Sequence, residues 1–504
     1  MTQKFPLQDN ESFYGGAIED GLCMPFKDGF KRDLRDWFSG NQASPTLLSS
    51  KGRILRGDKP FSFEFKNGEL IIESEEELKL EKVGETLRDA YLYFSKTYFK
   101  NYKGHLDDLM FSAPQYDTWI SMRYEPTEEK VLNYAKEILE QGYKPGVLIL
   151  DDSWAIDYGV FEFNKNFFPH PEETIEKLHS LGFKVMVWET PFISADSRNY
   201  RELSKQGLLL KNTEGKDVIT WWWNGYSAVL DLSKKEAREW LDSQNKSLMS
   251  RYKIDGFKMD ASDPDYYPKN SVFSDNSHKA FQSKYYSEIG LNYSFNEMRA
   301  CYQVEGAALS QRMRDKNHSW TFEGIERLVQ NAISMSLMGY FYFAPDMVGG
   351  GMLCDFERED FKFDEELFVR YAEIAVFLPM IQFSLLPWKC LSDANQKLMK
   401  SLMELRESLV PTILSLKKEA EEKHYPIIRP LFLEYPNDNY ENVMDEFMLG
   451  EDILVAPILN KGQTSRTVVV PCGNWIDLDG NNYQKGTYNL CAPLGKPIFL
   501  KRQK

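Results

Sequence analysis

The sequence is poor in everything that would bind a metal or staple a chain. Its six cysteines (Cys23, Cys301, Cys354, Cys390, Cys472 and Cys491) are scattered and form no CxxC pair, which excludes a disulfide scaffold and a zinc knuckle. The six histidines make no HExxH or other ligand spacing, so neither a metal site nor a cofactor is expected. No stretch approaches the roughly 20 apolar residues of a membrane span, which excludes an integral membrane protein. Positive charge is also short: 61 Lys and Arg stand against 76 Asp and Glu, a formal net charge of −15. Such a surface repels phosphate backbones and anionic lipid, so nucleic acid and membranes are not expected as partners. The opening segment, MTQKFPLQDNESFYGG, has no basic region followed by an apolar run, and the expected compartment is the cytoplasm.

What remains is long and aromatic. A chain of 504 residues, 42% hydrophobic and 27% charged, is globular and large enough for several domains around a sizeable core. Aromatic residues reach 14%, with 11 Trp and 27 Tyr. They either fill that core or line a sugar site, where the apolar faces of pyranose rings pack on aromatic rings.

The pattern changes twice along the chain. Residues 1–110 alternate short strand-like segments with turns, and PFSFEFKNGELIIES has period-two patterning around Asn67-Gly68, a hairpin signal. Over residues 111–405 apolar strands alternate with amphipathic helices: VLNYAKEILEQG runs into GVLILDD, and ETIEKLHSLGF into KVMVWET. IDGFKMD, ALSQRMRD, GYFYFAPD and FLPMIQFS continue the series. This alternation predicts a parallel (β/α)8 barrel of the α/β class. After an amphipathic helix around 402–419, residues 406–504 turn to strands again in DILVAPIL, SRTVVVPCG and NWIDLDG. The expected architecture is therefore a TIM barrel between an N-terminal β-sandwich-like domain and a C-terminal β-domain. Those terminal domains are open to two roles, shaping the pocket or forming a homo-oligomer interface.

Catalytic groups of such barrels lie just past the C-terminal ends of strands. Here those positions carry Asp151, Asp152, Asp260, Asp315 and Asp346, with Trp154, Trp188, Trp221, Trp222, Trp223 and Trp320 on the same rim. Singly, each acid reads as a helix cap; carboxylates and indoles together form a candidate carbohydrate site. Glycoside cleavage needs one ionised and one protonated carboxyl across the scissile bond. Asp260 and Asp315 fit those places. Lys258 with Arg299 or Arg312 can hold the nucleophile ionised, and an apolar setting near Trp320 is expected to raise the pKa of the acid. Asp151 and Asp152 are adjacent, so strand alternation lets only one point inward, with Asp152 favoured.

The ordered set of motifs adds to this. IDGFKMDASDPDYY resembles the nucleophile motif of glycoside hydrolase family 31, and GVLILDDSW, FPHPEETIEKLHSLGFKVMVWETPFIS, WWWNGYSAVLDLS, the EMR at Glu297 to Arg299, PDMVGGG, PIIRPLFLEYP and FMLGEDILVAPIL agree in order over about residues 110–480. The resemblance implies that Asp260 is the nucleophile, that Asp315 is the acid/base, and that Arg299, sixteen residues before it, binds sugar near O2. It implies retention of configuration and no cofactor. RMRDKNHSW replaces the usual WxGD context, and with PDMVGGG and PMIQFSLLPW is most similar to the subgroup of bacterial α-galactosidases and the myogenesis-regulating glycosidase. Asp151-Asp152-Ser153-Trp154 stands where the α-glucosidase branch shows DxDY, and Gln382-Phe383-Ser384 stands where that branch has a histidine. Both departures turn the expected substrate, a small oligosaccharide or glycoside, towards a terminal α-galactoside. Glucose, xylose and N-acetylgalactosamine stay open, as does a sugar-binding protein without activity. Asp151, Asp152, Trp154, Trp188, Trp223, Lys258, Arg312, Trp320 and Asp346 complete the expected substrate-binding set.

Overall fold

The computed structural model describes residues 1–36 and 41–503. The Asn67-Gly68 signal forms its hairpin: Ser62–Lys66 and Glu69–Glu73 pair antiparallel, with Lys66 opposite Glu69. The two turn residues take φ of 53° and 74°, the left-handed pair whose twist matches that of the flanking strands. Thr2–Pro6 and Lys31–Asp33 complete this sheet. A second antiparallel sheet holds Phe13–Ala17, Gln42–Ser49, Arg53–Arg56 and Leu80–Lys82 in that order. The rings of Phe13 and Phe65 meet between the two sheets at 5.5 Å.

Eight parallel strands follow: β1 (Gln115–Asp117), β2 (Val147–Leu150), β3 (Lys184–Glu189), β4 (Gly256–Met259), β5 (Phe295–Met298), β6 (Gln311–Arg312), β7 (Phe343–Ala344) and β8 (Gln382–Phe383). β8 pairs with β1, and a single bridge from Met347 to Gln382 links the end of β7 to β8. The barrel is thus nearly closed. Crossover helices arise where the sequence places an apolar stripe. Glu128–Glu140 buries Val131, Tyr134, Ala135 and Ile138, a spacing of three, one and three that puts all four on one face. One crossover departs from the βα rule. Between β5 and β6 residues 299–310, all described, form a short strand, Cys301–Tyr302, that pairs with Gln42 and Ala43 of the N-terminal domain. The N-terminal sheet takes the place of a helix there.

Register decides which side chains face the barrel axis. Trp188, Lys258 and Glu297 stand opposite one another on β3, β4 and β5, so all three project to the same side. Trp188 and Lys258 both line the cavity at the C-terminal ends of the strands, whereas Glu189, one step on, meets Asn245 of helix Lys235–Tyr252 outside the barrel. A helix of 31 residues, Asp393–Lys423, runs across residue 405. It leads to a six-stranded sheet that includes Phe447–Leu449, Ile453–Val455 and Phe499–Arg502, and to the hairpin Ser465–Val470 with Gly486–Cys491. Among the described residues no helix is long and apolar enough to cross a membrane.

The N-terminal domain grips the barrel from behind the rim. The Gln42 amide donates to the backbone carbonyl of Arg299 at 2.6 Å and to that of Arg312 at 2.7 Å. Buried Glu19 accepts from Lys316 Nζ at 3.1 Å and from Asn331 Nδ2 at 2.8 Å, and it also pairs with Arg327. Replacing Gln42 with Leu leaves two inward carbonyls without this donor. The change is expected to cost about 1–3 kcal/mol of stability, measured as an earlier urea unfolding transition; an unchanged transition would remove the clamp role from Gln42.

Candidate active site

A cavity of about 360 Å³ opens at the C-terminal end of the barrel, lined by Asp151, Asp152, Trp188, Trp223, Lys258, Asp260, Arg299, Arg312 and Asp315 among others. Asp260 follows directly on β4. Its Oδ2 accepts from the Trp188 indole at 2.7 Å, and its Oδ1 accepts from the backbone N–H of Ala261 at 2.9 Å. Ala261 and Ser262 both take left-handed φ, 58° and 65°, a conformation that costs of order 1–3 kcal/mol per residue and persists only where the surroundings enforce it. The turn fixes where the Asp260 carboxylate stands.

Asp315 lies across the cavity with 22% of its side chain exposed. Between the two carboxylates lies Arg299, whose Nη1 is 3.6 Å from Asp260 Oδ1 and 3.5 Å from Asp315 Oδ2. Arg299 is itself aimed by Asp263, which accepts from Nε at 2.9 Å, and by the Trp223 ring, 5.0 Å from the guanidinium carbon. Of the three consecutive tryptophans only Trp223 lines this cavity. Trp222 is buried and stacks on Phe192 at 4.4 Å, and Trp221 is exposed.

A layer of buried charges forms the cavity floor and continues beneath it. Lys258 Nζ reaches Asp117 at 2.8 Å and Asp151 at 2.6 Å. Arg312 pairs with Glu297 at 3.3 Å, with Asp346 at 2.9 Å and with Asp315. Burial lowers the affinity of Lys258 for its proton, but Asp117 and Asp151 more than restore it, and the ammonium stays charged. One cation cannot satisfy two desolvated carboxylates, so burial and the facing Asp117 push Asp151 up to about 7. Burial and Asp151 do the same to Asp152, also about 7, despite hydrogen bonds from Asn224 at 2.6 Å and Tyr158 at 3.1 Å.

Five expectations need correction. Asp315 does not have a raised pKa: burial pushes it up, but Arg312 and Arg299 outweigh burial and bring it down to about 2. Trp320 is not beside it, because its indole is turned away to Asp364, 3.0 Å distant. Asp346 does not line the cavity. It is fully buried and accepts from Arg312, from the backbone N–H of Lys316 and from that of Gly351. A Cβ on Gly351 would stand 2.6 Å from the Asp346 carboxylate, which accounts for a glycine at that point of PDMVGGG. Trp154 donates its indole N–H to the Trp188 carbonyl at 2.6 Å and lines a neighbouring cavity instead. Finally, Asp151 and Asp152 both line the site, because β2 ends at Leu150 and strand alternation lapses before the turn at Ser153, whose φ is 71°.

Sequence reasoning passed over Asp117, Asn224, Tyr158 and Gln42. Asp117 ends a strand of three residues, too short for periodicity to flag. Asn224 sits in the turn of WWWNG, where an Asn before Gly reads as turn chemistry. Among the described residues no group of His, Cys, Asp and Glu is placed to hold a metal ion.

The comparisons with known proteins decide the family. Residues 109–416 match the TIM-barrel domain of glycosyl hydrolases family 31, and residues 424–504 match its C-terminal domain. The chain belongs to glycoside hydrolase family 31. It is 31% identical over 412 residues to the myogenesis-regulating glycosidase of Mus musculus, covering 80% of this chain and 57% of that protein. It is 27% identical over 412 residues to Alpha-glucosidase 2 of Bacillus thermoamyloliquefaciens, covering 75% and 51%. The chain thus spans little more than half the length of these family 31 relatives. The fold is shared with the family 31 sulfoquinovosidase from E. rectale, with a TM-score of 0.87 at 18% identity over 100% of this chain and 82% of that one. It is likewise shared with the Flavobacterium johnsoniae dextranase, with a TM-score of 0.87 at 20% identity over 99% and 66%.

The raised pKa of Asp152 has a stability consequence. A carboxyl whose folded value, about 7, lies above its unfolded value near 4 costs stability as pH rises through that window, because the folded state must then hold a desolvated charge. Asp152→Asn removes the charge while keeping an acceptor oxygen. It is expected to raise the Tm more at pH 8 than at pH 5, as read by a thermal melt at each pH; equal shifts would place the titration elsewhere.

Proposed function

We propose that this chain is a retaining, exo-acting α-glycosidase that releases terminal α-linked galactose from small oligosaccharides or glycosides. One observation carries the reading: Asp260 and Asp315 face a single cavity, each with an oxygen near the same Arg299 nitrogen. Asp260, held in the cavity wall by the Trp188 and Ala261 donors, attacks the anomeric carbon. Asp315 protonates the leaving oxygen. The C–O bond of the glycoside breaks as the Asp260 ester forms, water then takes the sugar from the ester, and Asp315 accepts the water's proton.

In the free protein Asp315 is ionised, so the acid must be made by the substrate. A sugar that fills the cavity excludes water, and the charge growing on the leaving oxygen favours a proton on the nearby carboxyl. Once Asp260 is esterified its negative charge is gone, and Asp315 returns to a carboxylate fit to act as a base. Galactose is supported by the departures at Asp151-Asp152-Ser153-Trp154 and at Gln382. The Gln382 amide donates to Glu297 at 2.5 Å below the floor and does not line the cavity, so it supplies no contact to a sugar hydroxyl there. A cytoplasmic setting is part of the reading, supported by six free cysteines.

A panel of aryl α-glycosides of galactose, glucose, xylose and N-acetylgalactosamine tests the substrate, with the galactoside expected to be hydrolysed fastest. Asp260→Ala is expected to abolish turnover, and retained hydrolysis would sink the assignment. Asp315→Ala is expected to spare aryl glycosides with good leaving groups in the first step while losing about 100-fold or more on unactivated glycosides. Equal losses on both would take the acid role away from Asp315.

A further inference from the structure

Three cavities lie in a row along the rim of the barrel. The central one holds Asp260, Arg299 and Asp315 and shares Arg314, Asp315 and Met352 with a cavity on one side. It shares Tyr124, Asp152 and Trp188 with a cavity on the other. The leaving group departs past the carboxyl that protonates it, so Asp315 marks the first flank as the leaving-group side. The second flank lies beyond Asp152, away from the acid. Removal of a bare terminal sugar makes no use of space there, yet this chamber measures about 300 Å³ against about 360 Å³ for the sugar cavity itself.

Its walls have a definite chemistry. A two-stranded ribbon, Ala155–Asp157 paired with Val160–Phe163, forms one side. Trp154, Ile156, Phe161 and Phe167 give apolar surface, and Asp152, Asp157 and Tyr158 give hydrogen-bonding groups. Asp152 is 1% exposed and is held by Tyr158 and Asn224, so it stands as a fixed post between the two spaces. Ile156 leaves 54% of its surface open and Tyr124 leaves 40%, apolar surface that an occupant would cover. Aromatic faces beside carboxylates suit a ring with apolar faces and hydroxyl edges. An anionic substituent would meet Asp152 and Asp157 and is disfavoured.

We propose that this chamber receives a second, neutral sugar ring where the terminal galactose carries one, so that a disaccharide is released from such substrates as well as the single sugar from bare ones. The inference rests on the glycosidase reading, since Asp315 sets the direction. No reaction beyond that hydrolysis is required: the same glycosidic bond breaks, and only the size of the glycone changes.

The test uses the full chain with the bare aryl α-glycoside it cleaves best and with aryl α-disaccharides that carry a second sugar at O4 or at O6 of the same glycone. The expected result is release of the intact disaccharide, seen by mass spectrometry, with kcat/KM at least equal to that on the bare glycoside. Ile156→Trp narrows the chamber at an exposed position. It is expected to lower kcat/KM on the disaccharide substrate about tenfold or more and to leave the bare glycoside unchanged, which also reports that the variant is folded. Failure to cleave any disaccharide glycoside, removal of the outer sugar first, or equal losses on both substrates would overturn the proposal. Failure of the wild-type chain on every glycoside, bare or extended, would instead overturn the glycosidase reading.

Discussion

The site depends on one buried guanidinium. Arg312, 2% exposed, stands among Glu297, Asp346 and Asp315. A buried charge is tolerated only when it is paired, and removing one partner is far more costly than never having had the pair. Each of the three carboxylates therefore fixes something else in place. Glu297 accepts from Gln382 and so links β5 to β8, and Asp346 draws the backbone of Lys316 and Gly351 inward. Asp315, the most exposed of the three, is left at the rim with its charge set by the cation beneath it.

The same constraint explains why the N-terminal domain sits where it does. Arg299 and Arg312 end neighbouring barrel strands, and the backbone carbonyls of both are held by one amide, Gln42. A helix in that crossover would satisfy its own backbone and leave these carbonyls to water. The Cys301–Tyr302 pairing with the N-terminal sheet seals the position, and Glu19 anchors Lys316 one residue beyond Asp315. The pocket is made by the barrel, but its two arginines and the loop of Asp315 are registered by another domain.

This division sets what the sequence makes legible. The barrel strands, the Asn67-Gly68 hairpin and Asp260 at the end of GFKM are local: periodicity, turn chemistry and strand-end position specify them, and the architecture follows from their order. The charge on Asp315 is not local. Its controlling neighbours are Arg312, three residues away, and Arg299, sixteen residues away, and the distances that decide it exist only after β5 and β6 lie side by side. The aromatic surroundings read from Trp320 pointed the wrong way because Trp320 lies in a loop eight residues past the end of β6, and its indole turns to Asp364. Asp117 and Gln42 were invisible for a similar reason: each acts by reaching a residue more than a hundred positions distant.

Under the proposed reaction, Asp260 and Asp315 consequently differ in the opposite sense from a simple reading of acid and nucleophile. Asp260 receives one indole N–H and one backbone N–H, neutral donors on rigid elements, with Arg299 only at 3.6 Å. Asp315 receives a direct guanidinium contact. The carboxyl proposed to carry a proton in the first step is the one bound more tightly by cations at rest. On that proposal acidity is conditional on an occupant, since a sugar in the cavity supplies the desolvation and developing negative charge that oppose Arg312. In the proposed second step, when the ester has neutralised Asp260, Asp315 keeps its contacts with Arg312 and Arg299 and stays an anion able to orient water.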